Sequence, residues 1–479
     1  MITFVSQFAT IAVQMISIIV MARLLSPADY GILAMVGVVT AFAQMFRDLG
    51  LSSAIVQHKG LTNVQQSNVF WINVLVGFTL TVALCLCSPL VAWFYAHEEL
   101  KNVAMVTSLN FLAASLGSQS QALLIRNMRF ARIAIATIAG SIANLTLTVS
   151  LGLAGFSYWS IVYGNLLGVI ITSALLLALS EFQPQLPCFK TSIRTFLSFG
   201  AQVTVFDLMN YFQRNLDNVL IGYYCSANAL GLYNRAYSLL MFPIQSIRSP
   251  INSVAYPAMS KLQDSPKQLR VYFLKTVEII AILTMPLTGI LAVVAKPFIL
   301  LVLGPNWESA APIFSILAVV AFIQPASGFT GSLLLSLGKS KTYLWCGFFN
   351  TIITCIGFMI GVNWGPYGVA ISYAISNYIV LVPWLSWAFK ETPVTIGEFF
   401  RVCLFPAYVT AACVSGALTM LLFLSNNDFR IQLILAVALA ATFGALAIVS
   451  TKKGREYVAL ITGSLAKLVR RKNTASCSI

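Results

Sequence analysis

The 479-residue chain is 58% hydrophobic and only 9% charged, with 29 Lys and Arg against 14 Asp and Glu and a net charge of +15, where soluble globular proteins carry about 25% charged residues. So few charges could not cover a water-soluble fold of this size, and the mean hydropathy of +0.85 calls for counting the chain in membrane spans of about 20 apolar residues. The basic excess sits in short connectors rather than on one face, which argues against a nucleic-acid partner.

In chain order, windows of about 19 residues place spans near 2–22, 30–46, 67–95, 102–125, 133–153, 156–180 and 196–223. A second series falls near 229–247, 276–303, 311–337, 342–363, 366–389, 402–424 and 430–450, an all-α integral membrane protein of about 14 transmembrane helices. The first stretch lacks a basic n-region and is too long for a signal-peptide core, so it reads as a span. The nine cysteines are scattered without CxxC spacing, and His58 and His97 have no second ligand at metal spacing. No metal and no cofactor are expected, and no phosphate loop, nucleophile elbow or carboxylate pair marks an enzyme.

Connectors after even-numbered spans carry basic residues, among them Arg126, Arg129 and Arg132, then Lys261, Lys267 and Arg270, then Lys339 and Lys341. Those after odd-numbered spans offer little beyond Arg23, Lys101 and Arg430. The positive-inside rule therefore places both termini in the cytoplasm. No connector is long enough for a soluble catalytic domain.

At an offset of 200 residues, LLSPADYGILA from Leu24 lies against YCSANALGLYN from Tyr224, with Ser26 opposite Ser226 and Gly31 opposite Gly231. At 201, Gln44 and Arg47 match Gln245 and Arg248. Span one matches span seven, an even displacement, which implies a parallel repeat about an axis along the membrane normal and a central cavity. The expected organisation is a six-helix lobe over 1–185, a second over 186–395, an additional peripheral helix pair over 396–450 and a basic cytoplasmic tail over 451–479.

The first span carries Thr3, Gln7, Thr10, Gln14 and Ser17 on one helix face, and the seventh carries Asp207, Asn210, Arg214 and Asp217 at the matching places. Each ionisable group in a span costs about 2.5–3.5 kcal/mol on insertion scales, so it faces a partner or a wet cavity. Two roles are open for Arg214: charge neutralisation with Asp217 or Asp207, or presentation of a cation to an anionic substrate, for which the guanidinium fork suits phosphate oxygens. The intramembrane cations Arg47, Arg214, Arg235 and Arg248 outnumber Asp207 and Asp217, which favours an anion. The expected substrate-binding set is Arg214, Arg248, Arg47, Asn210, Gln245, Asn252, Gln14 and Gln44, with Asp207 and Asp217 for ion coupling or charge pairing.

The segments ARLLSPADYGILA, DLGLSSAIVQ, DNVLIGYYCSANALGLYNRAYSL, FPIQSIRSPINSVAYPAMSKLQD, LVLGPNWESAAPIFSILAVV and GSLLLSLGKSK resemble, in their order, the polysaccharide-transporter family of the multidrug/oligosaccharidyl-lipid/polysaccharide exporter superfamily, in particular its lipopolysaccharide biosynthesis flippases of the colanic acid exporter type. The resemblance covers nearly all of the chain. It departs at the start, where Met1 already opens the first span and the family's basic amphipathic segment does not precede it. It implies two six-helix lobes plus a final helix pair, alternating inward- and outward-facing states, and export of an undecaprenyl-pyrophosphate-linked oligosaccharide across the bacterial inner membrane. Membrane lipids and the polysaccharide polymerase and export machinery are the further partners it implies. A drug or cation antiporter on the same fold is the rival reading, and a membrane-embedded glycosyltransferase or polymerase a more distant one.

Overall fold

A chain in hydrocarbon finds no water for its backbone N–H and C=O groups, so helices, which satisfy them internally, are the economical way across. The computed structural model describes residues 2–48, 63–186, 211–212, 214–423 and 428–456, and among these residues no strand occurs. The helices run α1 (Ile2–Leu24), α2 (Pro27–Asp48), α3 (Asn63–Tyr95), α4 (Glu99–Arg126), α5 (Phe130–Leu153), α6 (Trp159–Ser180) and α7 (214–224). They continue as α8 (Ala227–Lys261), α9 (Pro266–Val293), α10 (Ala295–Val302), α11 (Ala310–Gly328), α12 (Thr330–Ser336), α13 (Ser340–Gly361), α14 (Gly365–Phe389), α15 (Ile396–Phe423) and α16 (Phe429–Ser450). Among the described residues, nine stretches are long and apolar enough to span a membrane, one of them, Ser340–Phe389, holding both α13 and α14. Their exteriors are apolar to match: Leu86 and Phe423 are 74% and 86% exposed. The chain is an all-α, multi-pass membrane protein.

Three boundaries differ from the hydropathy reading, each because polarity and helix termination are different things. The eighth span was expected to stop at 247, yet α8 runs 35 residues to Lys261, through Pro243, Pro250 and Pro257. The ninth begins at Pro266, taking in Lys267, Arg270 and Lys275, and breaks at Val294 before α10. The tenth breaks at Phe329, between α11 and α12. Most of the expected seventh span lies outside the described residues.

The chain divides into two compact units. The first comprises Met1–Arg235 with Val302–Ala310 and Thr351–Ser372. In it α3 packs on α4, α4 and α5 on α6, and α1 on α5. The Thr81 hydroxyl donates to the Ser108 carbonyl at 3.0 Å, and the Asn144 amide to Asn165 Oδ1 at 2.9 Å, so these polar groups are satisfied between helices rather than turned to lipid. The second unit comprises Ala236–Leu301, Ala311–Asn350 and Tyr373–Ile479. Its core is aromatic: Phe273 stacks on Phe329 with centroids 5.7 Å apart and also meets Phe389, which meets Phe399. There α15 packs along α9 and also along α16, in a cluster that includes Val409, Cys413, Ala417, Ala436 and Ala440.

The repeat read at offset 200 has a counterpart in three dimensions. Ser26 and Ser226 occupy equivalent N-cap places, the Ser26 hydroxyl accepting the Asp29 N–H at 3.3 Å and the Ser226 hydroxyl the Ala229 N–H at 3.2 Å. The first turns of α2 and α8 then meet reciprocally. A Cβ on Gly31 would fall 1.7 Å from the Ala227 carbonyl oxygen, and one on Gly231 1.8 Å from the Pro27 oxygen, and Pro27 is itself the offset-200 equivalent of Ala227. Only glycine permits backbones so close. The copies have also diverged, since Asp29 accepts from the Ser26 N–H at 2.8 Å and from the Ser157 hydroxyl whereas Ala229 cannot.

Candidate substrate cavity

The periodicity of α2 puts Tyr30, Leu33, Ala34, Gly37 and Val38 on one face. Together with Asn215 and Asn218 of α7, Asn234 and Arg235 of α8 and Ile161 of α6, that face lines a cavity of about 280 Å³ inside the first unit. The Arg235 guanidinium lies 3.6 Å above the centre of the Tyr30 ring. Tyr30 in turn meets the edge of Trp307, with centroids 5.4 Å apart, and the fully buried Trp307 donates from Nε1 to the Ala22 carbonyl at 2.8 Å. A cation over an aromatic face gains about 0.5–2 kcal/mol, and here the ring beneath is itself locked by a tryptophan, so the fork of Arg235 is held in place.

Among the described residues no carboxylate pairs with that cation, and its buried Nε finds no hydrogen-bond acceptor there. The remaining polar lining is amide, the Asn234 side chain donating to Asn218 Oδ1 at 3.2 Å. An unpaired guanidinium with amide donors in an apolar helical body is the chemistry of an anion site. Asp217, beside Asn218 in sequence, turns the other way, buried and accepting from the Tyr233 hydroxyl at 2.9 Å and the Asn218 N–H at 2.8 Å.

A second compartment of about 170 Å³ shares Leu33, Gly37 and Ile161 with the first, and its polar lining is Thr40, Thr107, Asn110 and Asn165. No ionisable group lines it.

The sequence-predicted residues distribute as follows. Arg214 is exposed on α7 and has no ion pair among the described residues. The pairing with Asp217 considered above is not formed, because Asp217 is satisfied by Tyr233. Asp207 and Asn210 lie outside the described residues. Gln14 and Gln44 are exposed on α1 and α2, while Arg47 is half-buried at the end of α2 with its Nε lacking a hydrogen bond among the described residues. In the second unit Gln245 is exposed on α8. Arg248 is half-buried with its guanidinium against Gly328, where a Cβ would come within 3.1 Å of Nη2. Asn252 accepts from the Ser332 hydroxyl at 2.6 Å. Sequence reasoning chose the Arg214 and Asp217 face of α7 and missed Asn215 and Asn218 one residue on. The available signal was an asparagine pair at i and i+3, followed by Asn234 and Arg235 just past the repeated glycine.

A cationic, amide-lined cavity within a bundle of membrane spans marks a multi-pass membrane protein able to hold a polar ligand. The chain belongs to the polysaccharide biosynthesis protein family, whose family model matches residues 20–312. It is similar to the lipopolysaccharide biosynthesis protein WzxC of Escherichia coli (strain K12), 27% identical over 398 residues that cover 82% of this chain and 80% of that protein. It is also similar to the teichuronic acid biosynthesis protein TuaB of Bacillus subtilis (strain 168), 27% identical over 424 residues, 85% of this chain and 84% of that one. Among solved structures its fold is that of the lipid II flippase MurJ in an inward closed conformation, with a TM-score of 0.75 at 15% identity over 93% of this chain and 98% of that one. The family read from the sequence segments is thereby established.

Proposed function

We propose that this chain is a flippase that carries an undecaprenyl-pyrophosphate-linked oligosaccharide, a repeat unit of an exopolysaccharide or lipopolysaccharide, from the cytoplasmic to the periplasmic leaflet of a bacterial inner membrane. The observation that carries this reading is the unpaired Arg235 guanidinium fixed over Tyr30 in an amide-lined cavity. A pyrophosphate and its sugars face about 30 Å of hydrocarbon, and stripping their water is prohibitive without replacement partners. A fixed cation and amide donors supply those partners while the polyprenyl tail stays in lipid. Family membership, the polysaccharide names of the relatives and the flippase fold support the same reading.

In this scheme 1–185 and 186–395 are two lobes that rock about the site to give alternating access. Residues 396–450 add a helix pair, and both termini, including the basic tail, are cytoplasmic, as the basic asymmetry of the connectors indicates. Arg214, Arg248 and Arg47 serve as further cations along the path. Membrane lipids, the polymerase and the export machinery are the partners. A drug or cation antiporter would place a carboxylate in its cavity, and neither compartment has one in its lining.

The test is Arg235→Ala in cells that make the glycan, reading lipid-linked intermediate by mass spectrometry and protein by membrane immunoblot. Loss of one charge-assisted contact, about 1.5–3 kcal/mol, should stall export and accumulate the intermediate at normal protein levels, with Arg235→Lys restoring it in part because the point charge remains without the fork. Full export by Arg235→Ala, at wild-type abundance, sinks the cationic-site mechanism.

A further inference from the structure

The second compartment has a lining unlike the first. Three of its four polar side chains are each tied by one bond that fixes their orientation and leaves other capacity open. The Thr40 hydroxyl donates to the Gly37 carbonyl at 3.0 Å, leaving its lone pairs. The Asn110 amide donates to the Thr107 carbonyl at 2.9 Å, leaving Oδ1 buried without a partner among the described residues. Asn165 Oδ1 accepts from Asn144 at 2.9 Å, leaving its NH₂. The Thr107 hydroxyl adds a group that both donates and accepts. The set is therefore neutral, oriented and mixed in donors and acceptors. A free anion has no use for Asn110 Oδ1, and an apolar ligand would leave it unpaired; a ring bearing several hydroxyls, each both donor and acceptor, satisfies all of them.

Size and position agree. About 170 Å³ is well below the roughly 300–1,000 Å³ of pockets for drug-sized ligands and suits one sugar ring, with Val36, Val103 and Val162 available to its C–H faces. The compartment adjoins the Arg235 cavity across Leu33, Gly37 and Ile161. At that shared wall a Cβ on Gly37 would meet nothing within 4 Å, so there is open space beside residue 37.

Resting on the flippase reading above, we propose that the Thr40, Thr107, Asn110 and Asn165 compartment is the seat of the sugar next to the pyrophosphate, and that the protein senses there whether its lipid carrier is loaded. A bare polyprenyl pyrophosphate fills only the cationic compartment; a glycosylated one fills both and binds more tightly.

The experiment uses the full chain in lipid nanodiscs and two probes, undecaprenyl pyrophosphate and undecaprenyl-pyrophosphoryl hexose, with Kd read by microscale thermophoresis. The wild type should bind the hexose conjugate about 5- to 10-fold more tightly, the scale of one or two uncharged hydrogen bonds. Asn110→Leu, and independently Thr107→Val, should erase that advantage while leaving affinity for the bare carrier unchanged. Arg235→Ala should weaken both probes. Equal wild-type affinities, or an advantage that survives both Asn110→Leu and Thr107→Val, overturn the sugar seat while an Arg235 effect on both probes leaves the transport reading standing. Failure of the wild type to bind either probe overturns both.

Discussion

The close approach of α2 and α8 gives a quantitative test of the repeat contact. In Gly31→Ala the new Cβ would lie 1.7 Å from the Ala227 oxygen, far inside the 3.0 Å that such atoms keep, and the obstacle is backbone, which cannot swing aside. Overpacking of this kind costs about 1–3 kcal/mol, against which alanine in a helix interior gains about 0.5–1 kcal/mol over glycine. The net expectation is a loss of roughly 1–2 kcal/mol. Gly37→Ala, six residues along the same helix with open space at its Cβ, should instead gain about 0.5–1 kcal/mol. Gly231→Ala should resemble Gly31→Ala, because its Cβ would lie 1.8 Å from the Pro27 oxygen. One separation of the two helices relieves both clashes, so the double variant should lose distinctly less than the two single losses added together. Thermal unfolding in a single detergent, followed by tryptophan fluorescence, measures all four variants. Gly31→Ala as stable as Gly37→Ala, or strictly additive losses at 31 and 231, would refute the reciprocal contact.

Two further outcomes are expected. Glu181, just past α6, accepts from Arg132 at 2.6 Å and pairs with Arg129 at 2.9 Å, and these two hydrogen-bonded guanidiniums hold its carboxyl below the ordinary carboxylate range. A depressed carboxylate contributes stability above its unfolded pKa and loses it as pH falls through the folded one, so Glu181→Gln should lower the melting temperature slightly at about pH 7, with the difference shrinking as pH falls through the lowered folded pKa; a difference that stays constant throughout acidification refutes the assignment. In a background without native cysteines, Asn306→Cys should react with an impermeant thiol reagent in intact cells and Lys267→Cys should not, and the opposite pattern would invert the proposed orientation.

The helices that cross as uninterrupted apolar runs were legible in the sequence because hydrophobic length alone determines them: α3, α5 and α6 fall within a few residues of the expected spans. The extension of α8 past Arg248 was not, since Gln245, Arg248 and Asn252 end the apolar run without ending the helix. The break at Phe329 occurs inside apolar sequence and leaves no hydropathy mark, whereas the one at Val294 stands beside Lys296 and Pro297, the charge and proline that mark a kink in an apolar run. The repeat aligned Ser26 with Ser226, and the structure adds that both cap a helix. At the site, the excess of intramembrane arginine pointed to an anion, and Arg235 stood among the cations counted. Its partners did not follow, because Tyr30 and Trp307 come from distant stretches of chain and no local spacing announces that they will stack. The neutral compartment was invisible for a related reason: threonine and asparagine scattered over α2, α4 and α6 carry no pattern until the helices pack.

The prolines of α8 give the helix a mechanical character. Pro243, Pro250 and Pro257 each lack the N–H that the carbonyl four residues earlier would use, on Leu239, Ser246 and Ser253, and each ring pushes the preceding turn away. Seven residues are close to two turns, so the three weakened places fall on one stripe of the helix. A helix weakened along one stripe bends more readily in the plane of that stripe than at right angles to it, so the direction in which α8 gives way is set by the sequence.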